Sequence, residues 1–170
     1  MEILDIYDDN GNLTGKTIIR GDKSVTLNKH EHIALSVIFI ENSEGKYLIQ
    51  KTSQEKGGEF SSTGGHVDSG ETPFDAIKRE VNEELGVDLT NDKIKELGYI
   101  LYDMPIRYIY YIKKDIDIKN IKLQKEEVDY VSYMTKEEIE NLINSKQMLT
   151  SHGIMFKEML KRKDNKYVRY

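Results

Sequence analysis

The chain has 170 residues, 38% of them hydrophobic and 32% charged, a balance expected of one domain around a single core. Its net charge of −5 leaves no basic excess for a nucleic-acid polymer, and the lack of cysteine excludes disulfides, thiolate nucleophiles and cysteine-based zinc sites. Residues 1–10 lack a basic-then-apolar signal pattern and the longest apolar run, 33–40, is too short to span a bilayer, so a cytoplasmic protein with no membrane partner is expected.

In chain order, residues 3–7 and 13–19 flank a turn rich in Asp, Asn and Gly, which predicts an N-terminal hairpin. The run 33–40 is continuously apolar and branched, as expected for a central strand covered on both faces. Glu44-Gly45 turns the chain into a further strand at 46–51. A helix is predicted over 73–85: Thr72 can cap it, Pro73 suits its first position, Asp75 favours the positive end of its dipole, and Gly86 can end it in a left-handed conformation. Residues 94–102 and 106–112 read as strands separated near Pro105, and 127–134 as another. The tyrosines between 108 and 111 read as mixed core and pocket wall. Thr135 with Glu138 forms a capping box that opens a helix with Ile139, Leu142 and Ile143 facing inward. A last helix at 151–161 buries Met155, Phe156, Met159 and Leu160, and the basic residues 162–170 are expected to be a frayed tail.

The helix at 73–85 holds most of the chemistry. At about 100° per residue, Phe74, Ile77, Val81 and Leu85 form one stripe, while Glu80, Glu83 and Glu84 share a neighbouring sector. Carboxylates at this spacing repel one another unless a cation sits among them, and Mg²⁺, or Mn²⁺ in its place, suits a site of carboxylates plus substrate phosphates. Glu80 and Glu84 are the candidates for direct ligands, with Glu83 completing the site or acting through bound water. Arg79 points away from Glu80 by about 100° and suits pairing with Glu71 or orienting a ligating glutamate. An isolated glutamate cluster is most often a solvated face. The fixed spacing around this one argues otherwise.

From Gly65 the chain continues through Glu71, Arg79-Glu80-Val81, Glu83-Glu84 and Gly86-Val87. That spacing resembles the Nudix box, G-x5-E-x7-R-E-U-x-E-E-x-G-U with U aliphatic, and matches every fixed position. The resemblance implies an α/β fold, the Nudix α/β/α sandwich with a mixed sheet, and metal-dependent hydrolysis of a diphosphate linkage. Residues 32–37, 42–51 and 6–11 look like the subgroup related to isopentenyl-diphosphate isomerase. Its added N-terminal hairpin would occupy residues 1–30 of a single domain spanning 1–170.

The same resemblance implies the Gly64 carbonyl as a metal ligand and Gly65, Gly70, Glu71 and Gly86 as supports of the box. It also implies a general base outside the box. Glu126-Glu127-Val128-Asp129 ahead of Tyr133 is similar to the family's E-x-x-E-x-x-W segment, so Glu127 is taken as the base, with Glu83 second. Arg79 is read as a support first and a catalytic residue second. Lys51, Lys56 and Arg107 are expected to reach phosphates, Phe60 stands where many relatives have an aromatic, and His66 is placed in the loop between Gly65 and Glu71. His32 reads as a packed, hydrogen-bonded residue, whereas His30 and His152 carry no signal.

The expected substrate is a small molecule, a nucleoside diphosphate linked to another moiety, handled by a monomer or homodimer. One rival is a catalytically silent Nudix domain that binds or senses a nucleotide. The other, isopentenyl-diphosphate isomerase, needs a cysteine ahead of His66, where this chain has Ser61, Ser62 and Thr63. It also needs paired glutamates around residues 103–110, which are absent.

Overall fold

The apolar run beginning at Ala34 lies at the centre of the molecule. In the computed structural model, which describes residues 1–165, it is preceded by an antiparallel hairpin of β1 (Ile3–Tyr7) and β2 (Leu13–Ile19). The run itself is β3 (Ala34–Glu41), followed by β4 (Tyr47–Thr52), β5 (Phe60–Ser61) and β6 (Thr63–His66). Then come α1 (Pro73–Leu85), β7 (Lys95–Leu101), β8 (Ile106–Lys113), β9 (Val128–Met134), α2 (Lys136–Asn144) and α3 (Thr150–Arg162). The second sheet is mixed, with strand order β5-β4-β3-β8-β7, β6 added to β3 and β9 to β4. Among the described residues, β3 and β8 are the one pair of these strands that runs parallel.

Alternation along β3 sorts its side chains into two cores. Val37 and Phe39 pack with Ile139, Met155, Phe156 and Met159 from α2 and α3. Ile38 and Ile40 pack on the other face with Ile77, Val81 and Leu85 of α1. The result is the α/β/α sandwich, and each fully buried Leu, Ile or Phe contributes roughly 1.5–3 kcal/mol.

Helix ends follow the sequence signals. Thr72 Oγ1 accepts from the Asp75 amide at 3.1 Å, and Gly86 closes α1 at φ 66°. The Thr135–Glu138 capping box is complete, with bonds of 3.1 and 2.7 Å. The C-terminal expectation needs correction. Arg162 donates to the carbonyls of Leu97 and Tyr99, and Lys163 Nζ binds Glu41 at 2.8 Å and Tyr47 Oη at 3.0 Å, so the first tail residues are docked. The rest of that expectation, over 166–170, lies outside the described residues. No helix among the described residues is long and apolar enough to cross a membrane.

The site's position follows from a divergence in the sheet. β3 and β4 meet only at Glu41↔Tyr47, and β6 takes β3's free edge from Leu35 to Ile38. β5 still pairs with β4, so the chain changes partner strand at Ser62. Apart from Thr63, the sequence Ser-Ser-Thr-Gly-Gly has little strand propensity; pairing with neighbours imposes the extended form. Gly64 serves that pairing, because a Cβ there would strike Ser36 O and stand 2.9 Å from Val37 Cα.

Candidate active site

Where the sheet diverges, a cleft of about 420 Å³ opens beside α1. Its walls are the Glu80–Glu84 face of α1, the glycines of β6, the end of β4, the segment before β9, and the start of α3. Glu80, Glu83, Glu84 and Glu127 all line it, as do Gly64, Gly65, His66 and Lys56.

Arg79 organises the acidic side of this cleft. Its Nε and Nη2 donate to the two Glu71 oxygens at 2.9 Å each, a bidentate pair. Nη2 also reaches His66 O at 2.9 Å, while Nη1 binds Glu80 at 2.8 Å and Glu83 at 3.2 Å. Glu71 in turn accepts from the Asp68 amide at 3.2 Å, which ties the box loop to the helix. Bonds donated to Glu71, then to Glu80, hold the Arg79 guanidinium firmly charged against the opposing pull of burial. Gly65 leaves room for this arrangement, since a Cβ there would land on the Glu80 carboxylate.

Glu84 lies deeper, at 7% exposure, out of Arg79's bonding reach. Its Oε2 accepts from Gln50 Nε2 at 2.9 Å, and Gln50 Oε1 accepts from Thr63 Oγ1 at 3.0 Å. Burial pushes the Glu84 carboxyl up to about 8, against the Gln50 bond and with added repulsion from Glu80, Glu127 and Glu83. Burial also raises Glu80, although Arg79 opposes it. On the far wall Glu127 pairs with Lys56 at 2.9 Å. Their two segments are fastened by Ser53, whose amide donates to Glu127 O and whose hydroxyl donates to Glu126 O.

This donor set fits a hard divalent cation: oxygen ligands, mutually repelling, two of them driven toward the neutral form by burial. Among the described residues, no three His, Asp or Glu side chains stand close enough together to hold one without moving. Arg79 Nη1 bridges Glu80 and Glu83 and supplies positive charge there.

Several placements differ from the sequence reading. His66 is the last residue of β6, not a loop residue, and burial, with Arg20 adding to it, holds its ring down to about 4. Lys51 and Phe60 are outside the cleft lining; they pair across β4 and β5, with Lys51 Nζ 5.4 Å from the Phe60 ring centre. Arg107 is buried next to Leu35 on β8, with Nε donating to Tyr102 O. It does not line the cleft, although its charge acts on His66 and His152, which do. Gly70 shapes the loop at φ 83°, its amide donating to Asp5 at 2.8 Å. His32 is packed as expected, bonded to Met104 O and Asp9 at 2.7 Å each.

The sequence reading missed Glu2, Arg20, Gln50, Gln124 and His152, all of which line the cleft. Two of these had a signal. Gln50 interrupts an apolar strand on the face of Leu48, and His152 sits three and four residues before Met155 and Phe156, on an apolar stripe.

The NUDIX domain family matches residues 30–155 of the chain. An uncharacterized Nudix hydrolase of Listeria monocytogenes is 38% identical over 102 residues, covering 56% of this chain and 58% of that relative. The chain thus spans less than two thirds of the relative's length. Among solved structures, the DR0079 protein of Deinococcus radiodurans superposes with a TM-score of 0.76 at 20% identity, covering 92% of this chain and 98% of that one. The NUDIX domain of Shewanella oneidensis NrtR, solved with ADP ribose, gives 0.64 at 13% identity over 84% and 92%. These superpositions show the shared fold.

Proposed function

We propose, from the premise that this chain belongs to the Nudix family, that it is a metal-dependent hydrolase of a diphosphate linkage in a nucleoside diphosphate joined to another moiety. The observation that carries this reading is the convergence of Glu80, Glu83, Glu84 and Glu127, from two separate parts of the chain, on one cleft. Glu80 and Glu84 would hold Mg²⁺ or Mn²⁺, with the Gly64 carbonyl and Glu83 completing the set. The ion supplies charge neutralisation for the diphosphate and Lewis acidity at its oxygens. Glu71 and Arg79 position Glu80 and transfer no proton. Glu127 accepts the proton of a water that attacks phosphorus as the bond to the bridging oxygen breaks. Glu83, more exposed and tied to Arg79, is the second choice for that role.

The test is phosphate release from a panel of nucleoside triphosphates, nucleotide sugars, dinucleotides and non-nucleotide diphosphates, each with Mg²⁺ and Mn²⁺. Metal-dependent release from at least one class is expected. A panel with no turnover would remove the hydrolase reading and leave a nucleotide-sensing domain in its place.

A further inference from the structure

The ring of His32 has only acceptors to bond. Its Nδ1 lies 2.7 Å from the Met104 carbonyl oxygen, and its Nε2 lies 2.7 Å from Asp9 Oδ1. A carbonyl oxygen cannot donate. Bonds donated by His32, then by His30, hold the Asp9 carboxyl below its usual range, so it too only accepts. Both ring nitrogens must therefore donate, and the form of the ring that does so is the imidazolium. His32 is thus a buried cation, 5% exposed. Asp9 and Asp8, both in the β1–β2 turn, are the charges that act on it. Asp9 shares its other oxygen with His30 Nδ1 at 2.5 Å. The remaining neighbours are engaged elsewhere. Glu31 is bonded by Lys16 of β2 at 2.6 Å, and Asp103, next to Met104, acts on Arg107. The Tyr99 and Tyr108 hydroxyls reach the Asp9 and Gly11 carbonyls, and burial holds Tyr7 and Tyr108 above the ordinary phenol range.

We infer that His32, Asp9 and the Met104 carbonyl form a protonation-dependent clasp that fastens the tip of the N-terminal hairpin to the sheet while the ring is cationic and opens when the ring loses a proton. A neutral imidazole has one N–H and turns a lone pair toward the other oxygen, so the tie from turn to β7–β8 loop is cut on one side or the other. The backbone pair between Tyr7 and His32, with bonds of 2.8 and 2.9 Å, then loses its support. The cleft feels the hairpin directly. Glu2 and Arg20 line it, and Asp5 of β1 accepts from Ser69 Oγ and the Gly70 amide in the loop ahead of α1. Burial pulls the His32 ring down, yet the bonds to Asp9 and Met104 O outweigh it and hold the ring above the ordinary value of 6.5. An unfolded chain gives up this proton near 6.5 and the folded one higher. The stabilisation is therefore complete below 6.5 and is lost as pH rises through the raised value.

The test uses the protein without metal or substrate, so its outcome is independent of the hydrolase reading. Ring nitrogen resonances, followed by NMR as pH rises from 5.5 to 9, should show both His32 nitrogens protonated at pH 6.5. His66, held down to about 4 by burial, should stay neutral throughout and serves as the internal control. Over the same range, protection of the Tyr7 and His32 amides against hydrogen exchange, corrected for the intrinsic effect of pH, should fall by about 10-fold relative to amides of β3. Asp9→Asn keeps an oxygen for the Nε2–H but removes the negative charge. The Asp9 side chain is 41% exposed, so the variant should fold, with its loss of protection moved to lower pH. A His32 ring already neutral at pH 6.5 would overturn the clasp. So would protection that stays constant as the ring titrates, or a transition left unmoved by Asp9→Asn.

Discussion

Glu84→Gln separates the cost of the acidic cluster from its use. In the metal-free protein Glu84 is nearly buried and its carboxyl is pushed up to about 8, chiefly by burial, whereas an unfolded chain ionises near 4.5. Below pH 4.5 both states hold the proton and the group costs nothing. Between 4.5 and about 8 the unfolded chain releases a proton that the folded one keeps, so stability falls as pH rises, by up to about 1.4 kcal/mol per pH unit. From pH 5 to 7 the loss through this group is on the order of 2 kcal/mol. The substituted amide can still accept from Gln50 Nε2, but its new NH₂ group lacks an assured partner, which offsets part of the gain. Urea titrations with EDTA, from pH 4.5 to 8, should show the variant gaining on wild type by roughly 3 kcal/mol as pH rises, with the two curves running parallel below pH 4.5. In the same preparation with saturating Mg²⁺, turnover should fall by about 10²–10⁴. Parallel stability curves would refute the buried-acid argument. Near-normal turnover would refute Glu84 as a ligand.

Glu127→Gln should lower turnover and abolish or shift the acid limb of the pH–rate profile while leaving the apparent Mg²⁺ constant unchanged; Glu83→Gln should weaken both. The Glu127 ion pair with Lys56 is half exposed, so losing it should move the melting temperature little. Gly65→Ala displaces the flexible end of Glu80 and leaves the backbone in place, so we expect a folded protein with turnover reduced by about 10²-fold, read by kinetics and circular dichroism. Lys163→Met tests the docked C-terminus. Burial raises Glu41, but bonds from Lys163 and Tyr111 outweigh it and hold the carboxyl below its usual range. Stability from this group is thus present above pH 4.5 and lost as pH falls through its lowered value. The variant should lose about 3 kcal/mol at pH 7 and show a flatter acid limb in urea titrations.

Features written within a few residues of one another were legible in the sequence. The N-cap at Thr72, the proline at position 73, the left-handed end at Gly86 and the stripe Ile77–Val81–Leu85 fix α1 without help from the rest of the fold. Helical spacing alone then puts Glu80, Glu83 and Glu84 on one side, and the cleft lies there. The continuous apolar run at β3 showed a strand covered twice, and it has a core on each face. Local periodicity carries this information because the side chains concerned are neighbours on one regular element.

What stayed hidden depends on partners far away in the chain. β5 and β6 have no apolar pattern; they are strands because β4 and β3 offer free edges to pair with. Lys51 looked like a site residue by its charge and Phe60 by its place ahead of the box, but strand alternation turns them from the face of Gln50, which reaches Glu84. A one-residue change in parity thus decided which face of the sheet each side chain took. His152 looked uninformative because its significance needs α3 laid against the Ser62 crossover, 90 residues earlier. The acidic face of α1 can be read from one turn of sequence. The opposite wall is assembled from crossovers and helix starts, and its residues gain meaning only from the strands and helices that surround them.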